Sequence, residues 1–322
     1  MDVAKSATPL VSVVMCVYNT LPYIKAATDS ILNQTYDNWE FIIAEDAATD
    51  GTREWLKENL SDHPKVHLFF AEKNQGTVPT KNFAFKQAKG DFICVCDADD
   101  LYAPDLLEKQ VSVTQQHPHI KLVACGYHQM TMDGKVYNTV APPEDTVYER
   151  YPGKPYPFWF PPILIHRSVY EAMDAFVTYF VDLGEDLYWV AKANERFPVY
   201  CLKEAMYYYR DTPNAHTKVM NNPRKMIAPT VLEELLRQRA TTGTDWLEQG
   251  DAKALEAYEA SLFADKKFMA EKYRLWANKA VDVADWKQSE RLLKKALAAA
   301  PFYPTTYRTA FYYLRKRAGL LK

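Results

Sequence analysis

Short runs rich in Val, Ile and Phe alternate with segments of helical spacing through the first hundred residues. "LVSVVMCVY" (10–18) precedes "YIKAATDSILNQ" (23–34), and "WEFIIAED" (39–46) precedes "TDGTREWLKENL" (49–60). "KVHLFFAE" (65–72) precedes "TVPTKNFAFKQAKG" (77–90), and a fourth run, "DFICVCDADD" (91–100), closes the series. The runs are continuous rather than alternating, as a strand covered on both faces requires. The alternation predicts an α/β domain around a largely parallel sheet. Thr and Asp at the start of 49–60 are capping candidates for the second helix, and Gly90 reads as the stop of the third.

In such sheets ligands gather at the carboxyl ends of the strands. Polar residues follow those ends three times: Tyr18 and Asn19, then Glu45 and Asp46, then Asp97 and Asp99. One cluster is explained by turn chemistry, whereas three in register point to a single site. Crowded carboxylates repel unless a cation or hydrogen-bond donors compensate. Asp97-Ala98-Asp99-Asp100 therefore has two readings. One is a capped turn, with Asp99 or Asp100 as N-cap of a helix near Pro104. The other is a site for Mg²⁺ or Mn²⁺, hard cations that take one or two carboxylates together with substrate phosphates.

The middle of the chain is less periodic. "APPEDTVYERYPGKPYPFWFPP" (141–162) reads as a long loop crossing the top of the sheet. Strand then helix follow over 163–173, a loop feeding a helix over 180–196, and a returning strand over 198–210. From about residue 223 glycines nearly vanish, and the spacing predicts helices at 225–240, 251–280, 283–299 and 303–317. Residues 286–317 look like one degenerate tetratricopeptide-type helix pair, which must pack on a neighbour to bury its apolar face. The expected division is 1–220 and 221–322.

A hydrophobic share of 48% excludes global disorder. A net charge of −2 gives no footprint for nucleic acid. No run of about 18 apolar residues predicts a membrane-spanning helix. The N-terminus lacks a signal-peptide cleavage pattern. The five cysteines (Cys16, Cys94, Cys96, Cys125, Cys201) are odd in number and sit in apolar segments. They read as reduced, buried thiols of a cytoplasmic protein.

The ordered stretches "VSVVMCVYN", "FIIAEDAATDGT", "NQGTVPTKNFAFKQAKGDFI", "CDADD" and "GEDLYW" resemble the family 2 glycosyltransferases over roughly residues 10–215. These are inverting enzymes of the GT-A fold that use nucleotide-diphosphate sugars. The resemblance implies a GT-A domain with a C-terminal all-helical extension. It implies that Cys16, Val17 and Tyr18 line the nucleotide base, and that Asp46 accepts a hydrogen bond from it, so that the donor is a UDP-sugar. Lys81-Asn82 matches an Arg-Asn pair near the diphosphate; lysine keeps the charge but loses the bidentate fork. Asp97 and Ala98 are placed at the ribose or nucleotide, Asp99 at a divalent metal, Mn²⁺ or Mg²⁺, and Asp186 as the catalytic base. The helix dipole is expected to lower the Asp186 pKa.

The usual "DDGS" reads "EDAA" here, and the small alanines are expected to loosen that turn. His216 stands six residues past Arg210, further than the family's His, as a candidate metal or diphosphate ligand. Glu185, Phe158 and Trp159 are candidates for the acceptor side, with loop anchoring as the alternative for the two aromatics.

The implied acceptor is a saccharide or lipid-linked saccharide of a surface polysaccharide, and no nucleic-acid partner is expected. The basic, amphipathic "YYLRKRAGLLK" (312–322) suggests peripheral contact with the inner face of a cell membrane. Two other readings stay open. A sugar-nucleotidyltransferase shares the sheet and acidic site, but would carry a Gly-rich loop where this chain has "VYNTLPYI". A scaffold with an inactive transferase domain would place its function in the C-terminal helices.

Overall fold

The computed structural model describes residues 8–150, 157–158, 160–180, 184–212, 222–282 and 284–320. It divides into two compact units, one of Met1–Tyr179 with Glu185–Thr212, the other of Phe180–Gly184 with Pro213–Lys322.

The first unit is an α/β sandwich. Its strands are β1 (Val11–Val17), β2 (Trp39–Glu45), β3 (Val66–Phe70), β4 (Phe92–Val95), β5 (Leu101–Tyr102), β6 (Leu122–Met130), β7 (Val136–Val140), β8 (Thr146–Tyr148), β9 (Leu164–His166) and β10 (Val199–Arg210). Its helices are α1 (Leu21–Leu32), α2 (Thr52–Leu60), α3 (Thr77–Gln87), α4 (Leu106–Gln116), α5 (Arg167–Ala172) and α6 (Glu185–Asn194). The sheet runs β3-β2-β1-β4-β9-β6-β10-β5, with β7 on β6 and β8 on β10. It is mixed. β3, β2, β1 and β4 are parallel, as are β6 and β10, while β9 lies antiparallel between β4 and β6.

The sequence pattern explains the layering. Val11, Val13, Met15 and Val17 face one core with α1, α2 and α4; Val14 faces the other, against α3, α5 and α6. β2 divides the same way, Phe41 and Ile43 against Ile42 and Ala44. Both faces are covered, so the runs have no polar alternation. The elements without a clear period in the sequence are the middle ones. β6 is a central strand, and β8 lies inside the expected long loop.

Two helix ends differ from expectation. Asp50 does not cap α2; its N-cap is Gly51 at φ 96°. The Asp50 carboxylate instead accepts from the N–H groups of Thr52 (3.0 Å) and Leu21 (2.9 Å), tying two helix starts together. Gly90 does not end α3. The chain leaves the helix at Ala88, which is extended. The Gly90 N–H then donates to Ser12 Oγ (2.7 Å), and the Lys89 N–H to Glu40 Oε1 (2.6 Å). Glycine is required here because a Cβ would lie 2.6 Å from both Leu10 O and Ser12 N.

The second unit holds α7 (Arg224–Thr242), α8 (Trp246–Gln249), α9 (Ala252–Ala264), α10 (Lys266–Asp282), α11 (Trp286–Ala299) and α12 (Pro304–Arg317). The helix expected over 251–280 is two helices. Asp265 adopts an extended backbone, and its carboxylate accepts from Phe268 N–H (2.9 Å), so one residue ends α9 and caps α10. Buried Arg239 joins the end of α7 to Asp245 (3.0 Å) and Glu248 (2.7 Å). Residues 286–317 hold α11 and α12, both packed against α10. No described helix is long and apolar enough to cross a membrane.

Gly90→Ala forces β1 and β4 apart and is expected to cost roughly 2–4 kcal/mol, in the range of overpacked and strained core sites. Denaturant unfolding measures it; a loss below that of an ordinary surface substitution would contradict the close approach.

Candidate functional site

The parallel strands β1, β2 and β4 end side by side, with Val14 paired to Val95 and Cys16 to Ala44. Their register puts Cys16, Asp46 and Asp97 around one opening. Burial pushes the Cys16 thiol up to about 12, against the opposing pull of the Lys81 ammonium. It is a neutral wall rather than a nucleophile. Val17 is buried in the core below, and the Tyr18 ring is exposed at the rim.

Asp46 is buried, and each carboxylate oxygen takes a backbone N–H: Gln75 on Oδ1 (2.8 Å) and Gly76 on Oδ2 (2.9 Å). It ties the end of β2 to the start of α3. The turn after β2 is not loosened by its alanines. Glu45 accepts from the Ala48 N–H and pairs with Arg53, and Asn19 Oδ1 accepts from Thr49 N–H (2.8 Å). Ala47 there has φ 59°, the left-handed region.

α3 and α6 supply the opposite side. Lys81 is buried, 2.8 Å from Glu185 Oε1, with its ammonium near the rings of Phe176 (5.2 Å) and Phe160 (5.4 Å). Burial alone would depress its pKa, but Glu185, Asp186 and Asp97 more than offset that, and the ammonium stays above its ordinary range. Asn82 is engaged elsewhere: its amide donates to Phe176 O (2.8 Å) and accepts from Phe176 N–H (2.9 Å), as a backbone neighbour would. It fastens the loop that leads toward α6.

Asp186 sits in the first turn of α6, with Oδ1 accepting from Leu187 N–H (2.7 Å). The expected downward shift is absent. Burial, then the charge of Glu185, raise its pKa to about 6, outweighing Lys81 and the helix-end N–H groups. Asp97 stands higher still, at about 7. Loss of solvation in the crevice dominates, Lys81 opposes it, and Asp99, Asp186 and Glu185 add to it.

The third aspartate has a separate task. Asp100 is buried, accepting from Tyr207 Oη (2.5 Å) and Arg210 N–H (2.6 Å). Arg210 Nε donates to Asp99 O (2.8 Å), and Thr212 Oγ1 to Asp99 Oδ2 (3.2 Å). Neither Asp99 nor Asp100 caps the next helix, because the N-cap of α4 is Asp105. Tyr207, Arg210, Phe160 and Phe176 are site-forming residues whose pattern in the sequence carried no such signal. Ala98 is buried between its aspartates. Phe158 is buried in the core against Tyr148, in the anchoring position. Trp159 and His216 lie outside the described residues.

Among the described residues no three His, Cys, Asp or Glu side chains converge as a metal cage. The donor chemistry at the end of β4 still fits a hard cation that completes its shell with phosphate oxygens and water. The charge of Asp99 adds to the penalty on an ionised Asp97, and Lys81 is already paired with Glu185.

An ionised Asp97 is disfavoured in the fold, so the folded state binds the proton more tightly than the unfolded one. Asp97→Asn is therefore expected to raise Tm. The gain should be full above pH 7 and shrink as pH falls toward the ordinary carboxylate range. A Tm series against pH checks it, and a gain that grows on acidification would contradict the assignment.

Residues 12–173 match the family model Glycosyl transferase family 2. An uncharacterized glycosyltransferase of Haemophilus influenzae is 36% identical over 126 residues, 39% of this chain and 50% of that protein. The UDP-Glc:alpha-D-GlcNAc-diphosphoundecaprenol beta-1,3-glucosyltransferase WfgD of Escherichia coli is 34% identical over 137 residues, 42% of this chain and 53% of that protein. The chain thus spans about half the length of these relatives. In fold it is similar to S. aureus TarS in complex with UDP-GlcNAc, with a TM-score of 0.59 at 17% identity, covering 96% of this chain and 92% of that one. With half its length matched and the GT-A arrangement present, the chain belongs to glycosyl transferase family 2.

Proposed function

We propose that the chain is an inverting glycosyltransferase that moves a sugar from a UDP-sugar to a hydroxyl of a saccharide or lipid-linked acceptor in surface polysaccharide synthesis. One observation carries this reading: Asp186 is a carboxylate held at about 6, beside the acidic end of β4 and the buried Lys81. A general base works best with a pKa near the working pH, and few carboxylates have one. The uridine donor and the lipid-linked acceptor draw support from the names of WfgD and of the TarS complex.

In this reading the exposed Tyr18 ring stacks on the base beside Cys16, with Val17 in the core beneath. Asp46 orders the α3 entry and keeps lone pairs free for a base N–H. The Lys81 ammonium faces the diphosphate. Asp97 and Asp99 lie next to it, and a divalent cation held by Asp99 would offset the charge of the leaving nucleoside diphosphate. The acceptor hydroxyl attacks the anomeric carbon from the face opposite the diphosphate. The new C–O bond forms as the bond to phosphate oxygen breaks, and that oxygen leaves with the electron pair. The hydroxyl proton passes to Asp186, whose Oδ2 is the oxygen not bonded to Leu187 N–H. Inversion at carbon follows from the single displacement.

Asp186→Asn is expected to lower kcat by roughly 10³-fold while leaving UDP affinity within a small factor. Wild-type kcat/KM should fall as pH drops through about 6, where Asp186 gains its proton. A near wild-type rate for the variant would remove Asp186 from this role.

The donor is tested by thermal shift with UDP, GDP, CDP and dTDP, each with Mn²⁺, Mg²⁺ or EDTA. A ligand that binds only the folded state raises Tm by mass action. A shift for UDP that EDTA abolishes is the expected result. No shift with any nucleotide would favour an inactive transferase domain.

A further inference from the structure

α12 buries one side and leaves the other bare. Thr306, Thr309 and Tyr313 face inward, and Trp286 of α11 meets the Tyr313 ring edge-on at 6.1 Å. On the outer side Tyr307, Phe311 and Leu314 stand at positions i, i+4 and i+7, which align along one helix face. They are 54%, 61% and 59% exposed, and Phe302 and Leu320 extend the apolar line beyond each end at 93% and 69%. This is a contiguous apolar strip rather than scattered surface residues.

Its borders are basic. Arg308 and Arg315 fall on one flank of the strip and Arg317 on the other, as 100° per residue dictates. The Arg315 guanidinium lies 5.6 Å from the centre of the Phe311 ring, so charge and apolar surface are contiguous. Between Phe302 and Leu320 there is no Asp or Glu. Over 286–320 eight Lys and Arg residues face the single acidic Glu290, although the whole chain has a net charge of −2. Four of these, Arg308, Arg315, Lys316 and Arg317, lie on α12 itself.

We infer that the outer face of α12 docks the chain on an anionic lipid surface, the helix lying in the plane of the interface. An apolar strip with basic flanks lets Tyr307, Phe311 and Leu314 enter the headgroup–acyl boundary while the arginines meet lipid phosphates. A second copy of the chain is the poorer occupant. A two-fold contact sets the same patch against itself and would bring the arginine borders together. This inference is independent of the catalytic reading, since vesicle binding and nucleotide binding are measured separately.

The test is flotation of the full chain with vesicles of phosphatidylcholine alone and of phosphatidylcholine with phosphatidylglycerol. Binding is expected only to the anionic vesicles, and should weaken with added salt. F311S/L314S should abolish it. R308Q/R315Q should reduce the partition coefficient roughly thirtyfold at low salt. All four side chains are exposed, and circular dichroism checks that both variants fold. Equal binding to neutral vesicles, or wild-type binding by both variants, would overturn the inference. So would a wild-type dimer in sedimentation velocity that F311S/L314S dissolves, without vesicle binding by either protein.

Discussion

The ammonium of Lys81 is the charge on which the carboxyl end of the sheet depends. Asp99, Glu185 and Asp186 act electrostatically on Asp97 from two segments far apart in sequence, and burial penalises ionisation of Asp97 and Asp186. Lys81 is itself buried, paired with Glu185 and set between two aromatic rings. A buried pair costs desolvation on both sides, and removing one partner leaves the other uncompensated. The arrangement leaves net negative charge at the end of β4, the condition in which incoming cations and proton transfer matter. Burial first, and this unbalanced charge second, hold Asp97 and Asp186 above the ordinary carboxylate range.

Rigidity comes from residues that need not touch a substrate. Asp100 is held by Tyr207 and the Arg210 backbone, while the Arg210 side chain reaches Asp99 O and Met132 O. β10 thus clamps the acidic turn from outside. Asn82 acts similarly on the other side, its amide completing the hydrogen bonds of the Phe176 backbone. Asp46 spans the gap between β2 and α3. A site whose groups are fixed this way pays its ordering entropy during folding rather than at each encounter.

Much of this was legible in the sequence. The doubly covered strands announced themselves as continuous apolar runs, and the acidic residues at their ends announced one site. In the second half of the sheet β9 and β10 were legible as the strands expected within 163–173 and 198–210, whereas β6 and β8 were not, since β8 is three residues long inside a Pro-rich stretch and the pairing of β6 with β10 reaches from Leu122 to Val199. Asp186 was singled out by position, but the direction of its pKa shift was not legible. The helix dipole is visible from sequence, whereas burial and the neighbouring Glu185 depend on the packed fold. Tyr207 and Arg210 read as strand residues, since nothing in "YYYR" says which aspartate they will meet. The break at Asp265 was hidden because the residues around it favour helix on both sides.

Ala47 carries a further meaning. With φ at 59°, it occupies a conformation that costs a residue with a side chain about 1–2 kcal/mol and glycine almost nothing. The Glu45 and Asn19 bonds on either side hold it there. Strain of that kind lowers the cost of releasing the segment that bears it. The connection between β2 and α2 is thereby held in a strained form by its own side-chain bonds, and losing either bond would release it before the buried strands beneath.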